Sequence, residues 1–220
     1  MEYRSLGRTG VKVSPLCFGT MMFGRSATEQ DSVAMVHTAL ERGINFIDTA
    51  DAYAAGASER FVGKALAGGK RASVVLATKA FFPLEQKDPN ARGLSRRYLI
   101  QACEASLQRL ATDWIDLYQV HRPQSDIPID ETLRALDDLI RAGKVRYIGT
   151  SMFPAWKSVE SLWASKELGL NRFVSEQMAY NLLDRTAERE VIPAAQSFGP
   201  ALLPWAPLCG DLLTGKYRRD

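Results

Sequence analysis

A chain of 220 residues, 46% hydrophobic and 24% charged, has enough apolar material for one sizeable globular domain. Its net charge of +3, with both signs scattered, is too mild for a nucleic-acid face, and the arginine pairs at 96–97 and 218–219 read as solvated surface. Three widely spaced cysteines without a C-x-x-C exclude a disulfide framework or zinc site; with a charged N-terminus and no membrane-length apolar stretch, they point to the cytoplasm.

The opening segment Tyr3–Val13, with Gly7 and Thr9-Gly10 between short apolar ends, predicts a hairpin. Leu16-Cys17-Phe18-Gly19 follows as a first buried strand. Thr28 to Asp31 resembles a capping box, and Val33, Val36 and Leu40 recur at helical spacing up to Gly43. The same rhythm then repeats. Run 44–47 is followed by Ser58, a candidate cap, and a helix carrying Phe61, Val62, Ala65 and Leu66. Run 74–78 is followed by Ser95 and a helix burying Leu99, Cys103, Leu107 and Leu110. Run 115–120 precedes a helix with Leu133, Leu136 and Leu139, closed by Gly143. Val145–Ile148 precedes a helix with Val159, Leu162, Trp163 and Lys166. Phe173-Val174-Ser175 precedes a weaker helix around 186–198 that Pro193 disturbs, and Ala201–Trp205 is the last strand.

Strands alternating with helices imply βαβ crossovers, and short strands that are apolar on both faces imply a covered parallel sheet. Seven strands and six intervening helices fit an α/β barrel of the (β/α)8 type lacking one strand. An open doubly wound sheet would usually carry G-x-G-x-x-G after its first strand, which Gly19 and Gly24 do not form. Gly63 to Lys70 is not a phosphate loop either, since the glycine spacing is off by one and Arg71 stands in place of Ser/Thr.

Four polar residues sit at or just beyond strand ends. Asp48 closes run 44–47, Tyr53 follows five residues later, Lys79 ends run 74–78, and His121 ends run 115–120. In a βα barrel that is where active sites collect. A phenol ordinarily titrates near pKa ~10, and a neighbouring ammonium eases its proton release. Lys79 can supply the ammonium, Asp48 can hold it charged, and His121 can donate to a carbonyl oxygen. Such a set suits a general acid for a carbonyl becoming an alkoxide, with hydride drawn from a nicotinamide cofactor. Taken singly, each has a plainer reading, as a loop cap, a packing residue or a surface charge. His37 reads as a helix-surface residue.

The surrounding segments strongly resemble the aldo-keto reductase superfamily. YRSLGRTGVKVSPLCFGTMMFG (3–24), DTADAYAAGASERFVGKAL (48–66), VVLATK (74–79), IDLYQVHRP (115–123), GKVRYIGTS (143–151), QMAYNLLDR (177–185) and PWAPLCGDLLTGKY (204–217) follow in the family's order. The resemblance implies one barrel domain over residues 1–220 that reduces aldehydes or ketones with NADPH. Tyr53 would then be the proton donor, Asp48 and Lys79 would tune it, and His121 would orient the carbonyl. Ser151 and Gln177 would hold the carboxamide and Trp205 would stack on the nicotinamide. Gly19, Thr20 and Met21 would line the cofactor, with Leu208, Gly210 and Leu212 in the loop over the pyrophosphate. Phe23, Phe81 and Phe82 are candidates for an apolar substrate pocket. No metal, nucleic acid or membrane partner is implied.

The chain also departs from that pattern. Met152 stands where the family usually has Asn, Trp205 where it commonly has tyrosine, and Ala206 where it commonly has serine. The family continues beyond position 220 through a further helix, strand and helix that grip the 2′-phosphate, so the chain reads as a C-terminally truncated member and NADH stays open beside NADPH. Two other functions compete: a Schiff-base aldolase with Lys79 as nucleophile, and a regulatory subunit that binds cofactor without turnover.

Overall fold

The structure is a computed structural model and describes residues 1–83 and 88–217, so Arg218 and Arg219 lie outside the described residues. Strands β1 (Arg4–Ser5) and β2 (Lys12–Val13) pair antiparallel as the expected hairpin. Seven further strands form one parallel sheet: β3 (Phe18–Gly19), β4 (Phe46–Asp48), β5 (Val75–Ala80), β6 (Ile115–Val120), β7 (Val145–Ser151), β8 (Phe173–Ala179) and β9 (Ala201–Trp205). They neighbour one another in chain order, β3 to β9, and curl into a half-barrel, an incomplete (β/α)8 fold.

Among the described residues six helices make the crossovers: α1 (Glu29–Glu41), α2 (Ala57–Ala65), α3 (Arg96–Leu110), α4 (Ile129–Arg141), α5 (Ala155–Leu168) and α6 (Val191–Phe198). Thr28 Oγ1 accepts from the Asp31 amide at the start of α1, and Ser95 Oγ accepts from Tyr98 N at the start of α3. Each satisfies a backbone donor that the first helical turn leaves free. Pro193 falls in the first turn of α6, where proline's missing N–H forfeits no helical bond. Arg96, one of the surface pair, meets Asp138 in a half-exposed ion pair.

Two clusters divide the core. The larger joins the helices to the outer sheet face and includes Val36, Val62, Leu76, Leu99, Leu107, Tyr118, Leu133 and Ile148. The smaller joins the hairpin residues Leu6 and Val13 to Phe46, Ala77 and Leu117. Strand side chains alternate between faces. Asp48, Lys79 and Gln119 therefore share a face with Phe46, Ala77 and Leu117, at the opposite strand ends from the hairpin. The hairpin docks closely: a Cβ on Gly7 would sit 2.8 Å from Val174 O and Ala201 N.

Three local expectations change. Leu16-Cys17-Phe18-Gly19 is not a buried strand: only Phe18–Gly19 is extended, and Leu16 and Cys17 are exposed. As the first strand of an open sheet, β3 is bonded to β4 on one side only. Ser58 does not cap α2; Gly56 stands at the cap position and the Ser58 hydroxyl is buried in a polar cluster. Trp163 lies on the exposed side of α5, whose buried residues are Lys157, Ser161, Ala164 and Ser165. No helix among the described residues is long and apolar enough to cross a membrane.

Candidate active site

Asp48 ends β4, and the chain then turns through Tyr53–Gly56 into α2. Lys79 is the penultimate residue of β5, and its side chain is wholly buried. Its three ammonium protons all have acceptors: Asp48 Oδ1 in an ion pair, Thr49 O at 2.7 Å and Tyr53 Oη at 3.1 Å. Burial by itself disfavours the charge. The Asp48 carboxylate and Tyr53 outweigh it, so the Lys79 pKa lies above the ordinary lysine value.

The second Asp48 oxygen accepts from Gln119 Nε2 at 2.9 Å and from Gln177 Nε2 at 3.0 Å. Four strands thus converge on one carboxylate, through Asp48 itself, Lys79, Gln119 and Gln177. Gln119 was not singled out from the sequence. Two signals were available, since it lies two residues before His121 on the same strand face and stands opposite Lys79 in the β5–β6 register.

Tyr53 is half-buried, with its ring edge-on to His121 at 5.9 Å between centroids and 79° between planes. Its oxygen accepts from Lys79, which leaves its own O–H free to donate elsewhere. His121 follows β6 directly. Burial, helped by Lys79 and Arg122, lowers its pKa to about 3, so the imidazole is neutral at neutral pH. Its Nδ1 has no partner among the described residues. The ring of Phe82 packs on His121 at 5.0 Å, and Phe81 packs on Phe82 at 5.2 Å.

Phe23 is placed elsewhere. It is buried in the larger core with its ring 6.0 Å from Phe18, so it anchors the segment after β3 and lines no open pocket. Thr20 is also fully buried. Its hydroxyl contacts Asp48 O at 3.1 Å and Ser58 Oγ at 2.8 Å, and Ser58 contacts Thr49 Oγ1 at 2.9 Å. This cluster ties the end of β3 to β4 and α2, which explains why Ser58 is unavailable as a cap.

The remaining candidates occupy the same end of the sheet. Ser151 ends β7 in register with Gln177 of β8. Trp205 ends β9 opposite Ala179, with 41% of its surface exposed. Leu208 and Leu212 are exposed in the turns beyond it, and Met21 is exposed just after β3. A Cβ at Gly19 or Gly210 would meet nothing within 4 Å, so the backbone is open to approach beside both edge strands at this end.

The family model described as Aldo/keto reductase family matches residues 15–220. The chain is 44% identical over 227 residues to an uncharacterized oxidoreductase YrpG of Bacillus subtilis, covering 98% of this chain and 69% of that protein. It is 36% identical over 223 residues to a probable voltage-gated potassium channel subunit beta of Arabidopsis thaliana, covering 100% and 67% respectively. A versiconal hemiacetal acetate reductase of Aspergillus parasiticus is 37% identical over 237 residues, covering 97% and 69%.

Proposed function

Because the chain belongs to the aldo/keto reductase family, we propose that it reduces an aldehyde or ketone to the alcohol at Asp48, Tyr53, Lys79 and His121, with NADPH as the reductant. The observation that carries this reading is the triple engagement of Lys79 by Asp48, Thr49 O and Tyr53 Oη. It fixes an ammonium against the phenol oxygen and leaves the phenolic proton available.

The residues present fit a nicotinamide cofactor. Trp205 offers a flat, partly exposed face, and the open backbone at Gly19 and Gly210 leaves room for a cofactor to approach. Ser151, beside Gln177, would meet the carboxamide, and the turns holding Leu208, Gly210 and Leu212 would meet the pyrophosphate. When bound, the cofactor supplies a hydride to the carbonyl carbon. Neutral His121 would offer an N–H to the carbonyl oxygen. As that oxygen gains charge, the Tyr53 O–H bond breaks and its proton passes to it, giving the alcohol. The negative charge left on Tyr53 faces Lys79, which stabilises it without further rearrangement. Phe81 and Phe82 would give the substrate an apolar wall beside His121.

A Schiff-base role for Lys79 needs a neutral amine. Asp48 holds that amine protonated, so an aldolase is disfavoured. The likeness to proteins named as potassium channel subunits favours one second reading, a regulatory subunit that binds cofactor without turnover. Aldehyde-dependent oxidation of NADPH by the wild type, lost in Tyr53→Phe with cofactor binding intact, supports the reductase. Saturable cofactor binding with no turnover of any carbonyl supports the second reading.

A further inference from the structure

Beneath the Tyr53 turn lies a buried acidic group that the proposed reaction does not use. Asp51 stands two residues before Tyr53 and is 0% exposed. Its amide donates to Lys79 O at 3.1 Å, tying it to β5. Its neighbour Glu59, also 0% exposed, accepts from Thr78 Oγ1 at 2.7 Å and from Arg109 Nε at 2.6 Å. Arg109 also reaches Ser106 Oγ at 3.1 Å. Among the described residues Asp51 makes no ion pair, and Arg109, the cation that acts on it, is already bonded to Glu59.

The hydrogen bonds point the same way. Tyr98 Oη lies 2.8 Å from Phe82 O and 3.4 Å from Asp51 Oδ2. A phenol has one proton, and the shorter contact, to a carbonyl that can only accept, takes it. With that proton on Phe82 O, the Tyr98 oxygen is free to accept from a protonated Asp51, whereas an ionised Asp51 would have to draw the Tyr98 proton to itself. Asp51 Oδ1 has no partner among the described residues, a placement that penalises a carboxylate far more than a neutral acid.

We propose that Asp51 is a positioning residue that works as a carboxylic acid. Its proton bridges to Tyr98, and the chain Asp51–Tyr98–Phe82 O clamps the Tyr53 turn to the segment that lays Phe82 on His121. Ionisation removes that donor, sets the charge against Glu59, and draws the Tyr98 proton from Phe82 O to Asp51, which releases Phe82 O and loosens the clamp. The turn is poised to respond: Ala54 and Ala55 both hold left-handed backbone (φ +47° and +51°). Gly56 is pressed so close to the Arg109 stem that a Cβ would lie 2.6 Å from Arg109 Cδ.

The titratable and charged groups facing Asp51 are Glu59 from α2, Arg109 and Tyr98 from α3, and the buried Tyr118 phenol from β6. Burial, then repulsion from Glu59, raises its pKa to about 7, against the lowering influence of Arg109, the Ala52 amide and Tyr98. Burial and Asp51 likewise push the Tyr98 phenol upward, which keeps it protonated. The clamp is therefore closed below neutrality and opens as pH rises.

This inference rests on the reductase reading, and its test separates the two. Asp51→Asn keeps an N–H donor for Tyr98 and never ionises, whereas Asp51→Leu has no donor at all. Wild-type kcat should fall about tenfold between about pH 6 and about pH 8. Asp51→Asn should keep its rate across that range, and Asp51→Leu should be slow throughout, with cofactor affinity little changed in both. Superimposable kcat profiles for wild type and Asp51→Asn would overturn the coupling to Tyr53. Melting temperature gives a readout free of catalysis. A raised carboxyl pKa gives stability that is full below the unfolded value and is lost as pH rises to the folded one. Wild type should therefore lose Tm relative to Asp51→Asn between about pH 4 and about pH 7, then run parallel. Parallel Tm curves across that whole window would overturn the buried proton itself. If no carbonyl is turned over at any pH, the reductase reading fails, and the Tm comparison alone still decides whether Asp51 holds its proton.

Discussion

Lys79 Nζ donates to Tyr53 Oη at 3.1 Å while the same ammonium pairs with Asp48 and with the carbonyl of Thr49. A lysine with every proton committed has little freedom to move, so the phenol oxygen meets a fixed positive charge. Preorganised charge of this kind acts on a developing anion without the cost of reorienting solvent.

Removing that ammonium should damage stability and rate together. In Lys79→Met the Asp48 carboxylate stays buried with only Gln119 and Gln177 to satisfy it. Breaking one side of a buried pair costs about 3–5 kcal/mol, and the two amides should hold the loss near the lower figure. Lys79→Met combined with Asp48→Asn should recover part of the stability and none of the rate. Urea unfolding and steady-state turnover of the single and double variants check this.

His121 should stay neutral through the working pH range. Its pKa of about 3 lies below the ordinary value of 6.5. The folded state therefore binds fewer protons than the unfolded chain between those values, and stability falls as pH drops from about 6.5 toward about 3. An imidazole NMR titration should show no protonation between about pH 5 and about pH 8. A midpoint inside that window would contradict the buried, neutral donor.

Glu176 should act in the opposite sense. Its Oε1 accepts from the Phe153 amide at 3.0 Å, Oε2 has no partner among the described residues, and burial raises its pKa from 4.5 to about 8. The stability it gives is full below the unfolded value and is lost as pH rises to about 8, at up to about 1.4 kcal/mol per pH unit. Glu176→Gln should match wild type at about pH 4 and melt higher at about pH 8. Calorimetry at both pH values measures it.

Met152 adopts φ +60°, a region where a long side chain is strained and asparagine is tolerated. Met152→Asn should stabilise the fold by up to about 1 kcal/mol, by easing the left-handed penalty. It should also tighten cofactor binding, by returning a polar side chain beside Ser151. Thermal melts with and without NADPH distinguish the two effects. Loss of stability would mean that the Met152 side chain packs better than its 38% exposure implies.

The rhythm of the fold was legible because each strand and helix carries its own local signal. Apolar runs near 46, 75, 115, 145, 173 and 201 became strands, and Thr28 and Ser95 became caps. The misread positions are those where a tertiary partner outbids the local signal. Ser58 looks like a cap until Thr20 and Thr49 claim its hydroxyl. Phe23 looks like a pocket wall until Phe18 and the helices enclose it. Asp48, Tyr53, Lys79 and His121 were visible as polar residues ending apolar runs. Gln119 was hidden because a lone glutamine inside a strand carries no local signal; only the parallel register sets it opposite Lys79. Asp51 was hidden for a similar reason, since burial beside Glu59 cannot be read from spacing.

The most direct test is aldehyde-dependent NADPH oxidation by wild type and Tyr53→Phe, with tryptophan quenching followed in both. Wild type should turn over and Tyr53→Phe should lose about 10²–10⁴-fold in rate, with saturable quenching equal in the two proteins. Equal turnover by Tyr53→Phe would contradict Tyr53 as the proton donor.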